Sequence, residues 1–184
     1  MKRSVTMLVL SILLAPVALR ADSSLEVPSP PVAMGSLAYL DARNGFRDMQ
    51  FGTPFSTFKN LHLEEDSGDI KVYSRPGDAL TMGEAKLAHL YYAFYKGRLS
   101  NVHMTTDGPT SSRAALASLQ AAYGTPRKPN QFLEEYWWIG RVVVASYTEN
   151  LATRTATIIC TSRPLTVQKE ADQKESAKKA AAGL

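Results

Sequence analysis

Cysteine is nearly missing. Cys160 is the single thiol in 184 residues, so no internal disulfide can form and the fold has to rest on its core. The short motifs of common chemistries are missing too. GxSxG, GxxxxGK[ST], GxGxxG and HExxH do not occur, which removes the nucleophile elbow, the phosphate loops and the zinc-protease helix. His62, His89 and His103 are the three histidines, and with one cysteine they lack the ligand spacing of a zinc site. No cofactor is expected. Nor is there a basic stripe. Of the 21 Lys and Arg, Lys2, Arg3 and Arg20 fall in the first 21 residues, which hold no acid, leaving 18 bases against 17 acids. Without clustered positive charge, nucleic acid is excluded as a partner.

A long apolar run is also lacking, apart from one at the start. Val5 to Leu14 follows Lys2 and Arg3 and is broken by Pro16. It falls short of the ~20 residues that span a bilayer, but it has the parts of a secretory signal over residues 1–21, with Ala21 as the cleavage position. The expectation is an exported protein, periplasmic or secreted, with no transmembrane span after cleavage. Residues 22–44, rich in Ser and Pro (Ser23, Ser24, Pro28, Ser29, Pro30, Pro31), read as a linker. A single α+β domain is expected over 45–163, and a charged, Ala/Lys-rich tail over 164–184.

What is present centres on residues 87–104, LAHLYYAFYKGRLSNVHM. Leu90, Tyr92 and Phe94 alternate with His89, Tyr91, Ala93 and Tyr95, the two-residue period of a half-buried strand. Lys96-Gly97 supplies the hairpin turn. Leu99, Val102 and Met104 do not share one parity, so a bulge near Ser100-Asn101 is needed to return the latter two to the inner face. With that bulge, His89 and His103 become diagonal neighbours outside.

Other elements surround this hairpin. Met49 and Phe51 mark a short strand; Thr53 as N-cap, Pro54 at the first turn, and Phe55, Phe58 and Leu61 at three-residue spacing predict a short helix. Glu64 to Asp69 reads as an acidic turn before a strand bearing Ile70 and Val72. A second helix is predicted over 110–123, stopped by Gly124. Three strands follow, in EEYWWIG, VVVASYT and RTATIICTS, with Cys160 in the apolar alternation of Ala156 and Ile158. The expected architecture is two short helices on a curved, mainly antiparallel sheet of about six strands, conceivable as a diverged tandem helix-plus-hairpin repeat.

Catalysis has one opening in the sequence. Ser56-x-x-Lys59 at a predicted helix start is the spacing of a serine nucleophile with its lysine base, but KTG and SDN partners are lacking. The aromatics say more. If Tyr92, Phe94, Tyr136 and Trp138 line the core, then Tyr91, Tyr95 and Trp137, with His89 and His103, are left on the outer sheet face, a surface suited to a partner.

The strings GFRDMQFGTP, YSRPGD, LYYAFYKGRL, the helix ending in YGTP and the YWWIG hairpin resemble a family of small exported bacterial domains found as short envelope proteins or lipoproteins. In element order the domain is similar to the modules of the SmpA-type outer-membrane assembly lipoprotein and of the β-lactamase inhibitor protein. No lipid-acceptor cysteine follows the signal, unlike in the lipoprotein members. The resemblance implies a helix-plus-sheet fold and carries over no catalytic residues. The reading is a non-enzymatic exported module that binds a protein or cell-envelope component; the alternatives are a small serine hydrolase using Ser56 and Lys59, or a carrier of a small apolar ligand.

Overall fold

The structure, a computed structural model, describes residues 32–183, so the signal reading of 1–21 and most of the linker's first half lie outside the described residues. At the centre is the expected hairpin, β6 (Ala85–Tyr95) and β7 (Arg98–Thr106). Lys96 and Gly97 both take positive φ, 46° and 73°, as a two-residue turn matched to strand twist requires. The bulge is where the parity demands it. Ala93 faces Asn101 and Phe94 faces Leu99, leaving Ser100 as the extra residue, and the Ser100 hydroxyl donates to the Ala93 carbonyl at 3.0 Å. Leu99, Val102 and Met104 therefore all reach the inner face beside Leu90, Tyr92 and Phe94, and all six are buried.

Before the hairpin come β3 (His62–Ser67), β4 (Ile70–Ser74) and the two-residue β5 (Thr81–Met82); after it come β8 (Glu135–Ile139), β9 (Val143–Glu149) and β10 (Ala156–Ser162). They form one antiparallel sheet in the order β3-β4-β6-β7-β10-β9-β8, with β5 on β6. A separate ribbon pairs β1 (Gly45–Phe46) with β2 (Met49–Gln50). The fold is α+β. Two meanders meet where β7 pairs β10.

The inner face is roofed by α1 (Leu37–Arg43) and α2 (Gly108–Tyr123). The predicted second helix is α2, ended by Gly124 at φ 81°. Its Ala115 and Leu119 are buried over the sheet. Trp138, Tyr92, Tyr147 and Phe94 are the largest fully buried side chains, and burial pushes the Cys160 thiol up to about 12, so it packs as a small hydrophobe.

Three expectations need correction. No α-helix starts at Thr53. Gly52 N–H bonds to Leu99 O, Leu99 N–H to Thr53 O and Phe55 N–H to Gly97 O, so residues 52–55 lie beside β7 where β10 stops, and only a 3-10 turn, Phe55–Thr57, follows. Strand pairing has taken the backbone groups that a helix needs. The apolar spacing still reaches the core's edge: Phe58 and Leu61 pack against it, and Phe55, though exposed, sits edge-on to Phe94 as Phe58 does, with centroids 5.5 and 5.3 Å apart. The second correction is α1, which lies within the segment read as linker. Ser36 caps it, accepting from Tyr39 N–H at 3.2 Å, and Leu40 is buried. Asp41 extends from it to the β8–β9 turn and accepts the N–H groups of Arg141, Val142 and Val143 at 2.7, 2.8 and 3.0 Å. Burial alone would raise this carboxyl; the three donors outweigh it and hold the pKa below the ordinary value. Third, the acidic run is mostly strand: Glu64, Glu65 and Asp66 belong to β3, with the turn at Gly68-Asp69.

The charged tail folds as α3 (Arg163–Ala182). It packs on the outer face, opposite α1 and α2, and crosses one end of it.

Candidate functional site

The outer face is built by alternation. Register carries one row of side chains across five positions: Tyr91 on β6 faces His103 on β7, His103 faces Ile159 on β10, Ile159 faces Ser146 on β9, and Ser146 faces Trp137 on β8. All five are half-buried. Strands lie ~4.8 Å apart, so Trp137 sits roughly 14 Å from His103, three strands away. His103, Ile159, Ser146 and Trp137 of this row line a trough of ≈ 540 Å³, flanked by Val72 and Ala93 and closed at one end by Leu165 and Thr166 of α3; Tyr91 lies outside its lining.

Four of the five residues expected on this face lie in or beside the row. His89 stacks on Tyr91, with ring centroids 5.7 Å apart and planes 10° apart, and the Tyr91 hydroxyl lies 3.3 Å from His89 Nδ1. His89 and His103 are diagonal neighbours, since His89 faces Thr105 and Tyr91 faces His103. Burial lowers the His103 pKa, so its ring is neutral at pH 7. Trp137 Nε1 donates to Glu135 Oε1 at 2.7 Å, which fixes the indole.

Tyr95 lines the α3 end of the trough but is nearly covered there. Its ring is 4% exposed, and its hydroxyl donates to Asp172 Oδ2 of α3 at 2.6 Å, beside Lys96 Nζ, also at 2.6 Å from that oxygen. Tyr95 is an anchor for α3. The helix has few apolar residues, and a Leu165 contact plus one carboxylate is a docking pattern that hydrophobic periodicity does not register. Ile159 and Ser146 were also missed as site residues. The alternation in ATIICTS, which buries Ile158, already puts Ile159 on the other side.

Compared with family models, curated proteins and solved structures, the chain matches none.

Ser56 lies in the 3-10 turn and Lys59 beyond it, both exposed; the helical turn that would set an amine beside the hydroxyl is not formed there. Among the described residues no group of three or more His, Cys, Asp or Glu side chains is arranged to hold a metal ion, and no helix is long and apolar enough to cross a membrane.

Proposed function

We propose that this chain is an exported, non-enzymatic binding module that holds a protein or cell-envelope component against the outer face of its sheet. One observation carries the reading: the row Tyr91, His103, Ile159, Ser146 and Trp137 places two large aromatic rings and an aliphatic side chain, all half-buried, on strands rather than loops. Rigid amphipathic rings contribute contact area at small entropic cost, and aromatic anchors dominate binding energy at interfaces. The neutral His103 between them suits an apolar contact. Export rests on the composition of residues 1–21, a positive start followed by a short apolar run.

The test is capture from a cell-envelope extract, using the full chain as bait. The wild type retains a partner, whereas Tyr91→Ala and Trp137→Ala each reduce retention at least about tenfold, as loss of an anchor residue does, with near-UV circular dichroism and melting unchanged. Retention that survives both substitutions refutes the sheet face. A covalent adduct at Ser56 after treatment with a fluorophosphonate probe, seen by intact mass, overturns the non-enzymatic part.

A further inference from the structure

The opposite side of the molecule holds a second opening. Between α1, the β1–β2 turn, β5 and α2 lies a cleft of ≈ 360 Å³, at the small end of the ~300–1,000 Å³ occupied by small-molecule sites. Phe46, Met82, Leu119 and Tyr123 give it apolar walls, and its charged lining among the described residues is Arg43 and Arg47, with no carboxylate. The arginines that pair with carboxylates among the described residues are Arg75 and Arg154.

Both cleft guanidiniums are held in place by neutral acceptors. Arg47 Nη2 donates to the carbonyls of Ala79 and Thr81, the latter at 2.7 Å, and its guanidinium carbon lies 4.8 Å over the Phe46 ring. Arg43 Nη2 donates to the Arg47 carbonyl at 3.2 Å. Carbonyls orient a guanidinium without cancelling its charge, and the remaining N–H groups stay available for an oxyanion. Burial keeps the Tyr123 hydroxyl protonated, hence a neutral donor, at the apolar end. A wall with this much apolar surface does not suit a small, fully hydrated anion.

We infer that this cleft binds a small organic monoanion, an aryl or short-chain alkyl carboxylate, with its carboxylate between Arg43 and Arg47 and its apolar body along Phe46, Met82 and Leu119. The inference does not rest on the sheet-face reading, because the cleft and the trough lie on opposite faces of the sheet.

The full chain, with methyl-labelled methionine, is titrated with 4-phenylbutyrate and octanoate and, as neutral controls, with the two corresponding amides. Both acids shift the Met82 methyl signal saturably, and they bind at least about tenfold more tightly than their amides, the ratio expected from one charge-assisted contact. Arg43→Gln removes that preference. Ala122→Phe, which fills the cleft without touching its charge, abolishes both signals. Tyr91→Ala, on the other face, changes nothing. Equal affinity of acid and amide for the wild type overturns the inference, as does a Met82 signal that fails to saturate by about 10 mM acid, a millimolar-class threshold. The acid–amide comparison uses the wild type alone, so it decides the matter even if a variant fails to fold.

Discussion

His103 is placed so that its charge state matters to the whole sheet. It is half-buried between Tyr91 and Ile159 on neighbouring strands, and burial lowers its pKa. The unfolded chain takes up this proton near the ordinary ~6.5, whereas the folded chain resists it. Stability is therefore full above that value and declines as pH falls through it toward the lower folded pKa. Wild type should lose more melting temperature between pH 7.5 and pH 5 than His103→Gln, which cannot charge; parallel losses would remove His103 from the balance. At this scale much was readable in advance. The parity break between Leu99 and Val102 demanded a bulge, and the bulge fixed which imidazole faces outward. The role of Tyr95 was not readable, because its partner, Asp172, is 77 residues away, and nothing in local periodicity points across that distance.

Among the elements, α3 is the least conventional. Leu165 is its buried side chain, so most of its length gains nothing from apolar burial, the source of most helix stability in proteins. Beyond its first turn the hold on the sheet is Asp172, which accepts from Lys96 and Tyr95, and these two donors lower its pKa. The anchor's contribution is full above the ordinary carboxyl value and is lost as pH falls from there through the lowered folded pKa. Asp172→Asn should raise amide hydrogen exchange through residues 168–182 while β6 and β7 keep their protection; unchanged exchange there would mean that α3 is held by something else. The contrast with the 53–61 segment is instructive. There the cap, the proline and the apolar spacing all indicated a helix, yet hydrogen bonds to Gly97 and Leu99 kept the backbone extended. Local propensity loses when a neighbouring strand offers the same groups a ladder. In α2 no strand competes, and the predicted helix formed.

Taken whole, the molecule is centred on aromatic side chains buried between the α1–α2 layer and the sheet. Trp138 is the largest of them, fully buried, with its Nε1 donating to Gly124 O at 2.8 Å, where α2 ends. Trp138→Ala should lower unfolding free energy by about 3–5 kcal/mol, through a cavity and an orphaned carbonyl. Urea denaturation with an unchanged slope measures it, and a loss under about 1 kcal/mol, the size of a surface change, would show that the site collapses to fill the gap. The α+β class and the antiparallel sheet followed from the alternation and β-branched content of the strand candidates. The number of helices did not, because α1 is seven residues long and carries one buried side chain, Leu40, too little for a periodic signal.

The clamp between Asp41 and residues 141–143 has a consequence in time. Its two halves are a hundred positions apart, and β7 waits for β10, some fifty positions later, to cover its side. A ribosome adding ~5–20 residues per second therefore releases α1 many seconds before its closing partner exists, and the sheet stays open until β10 has been made.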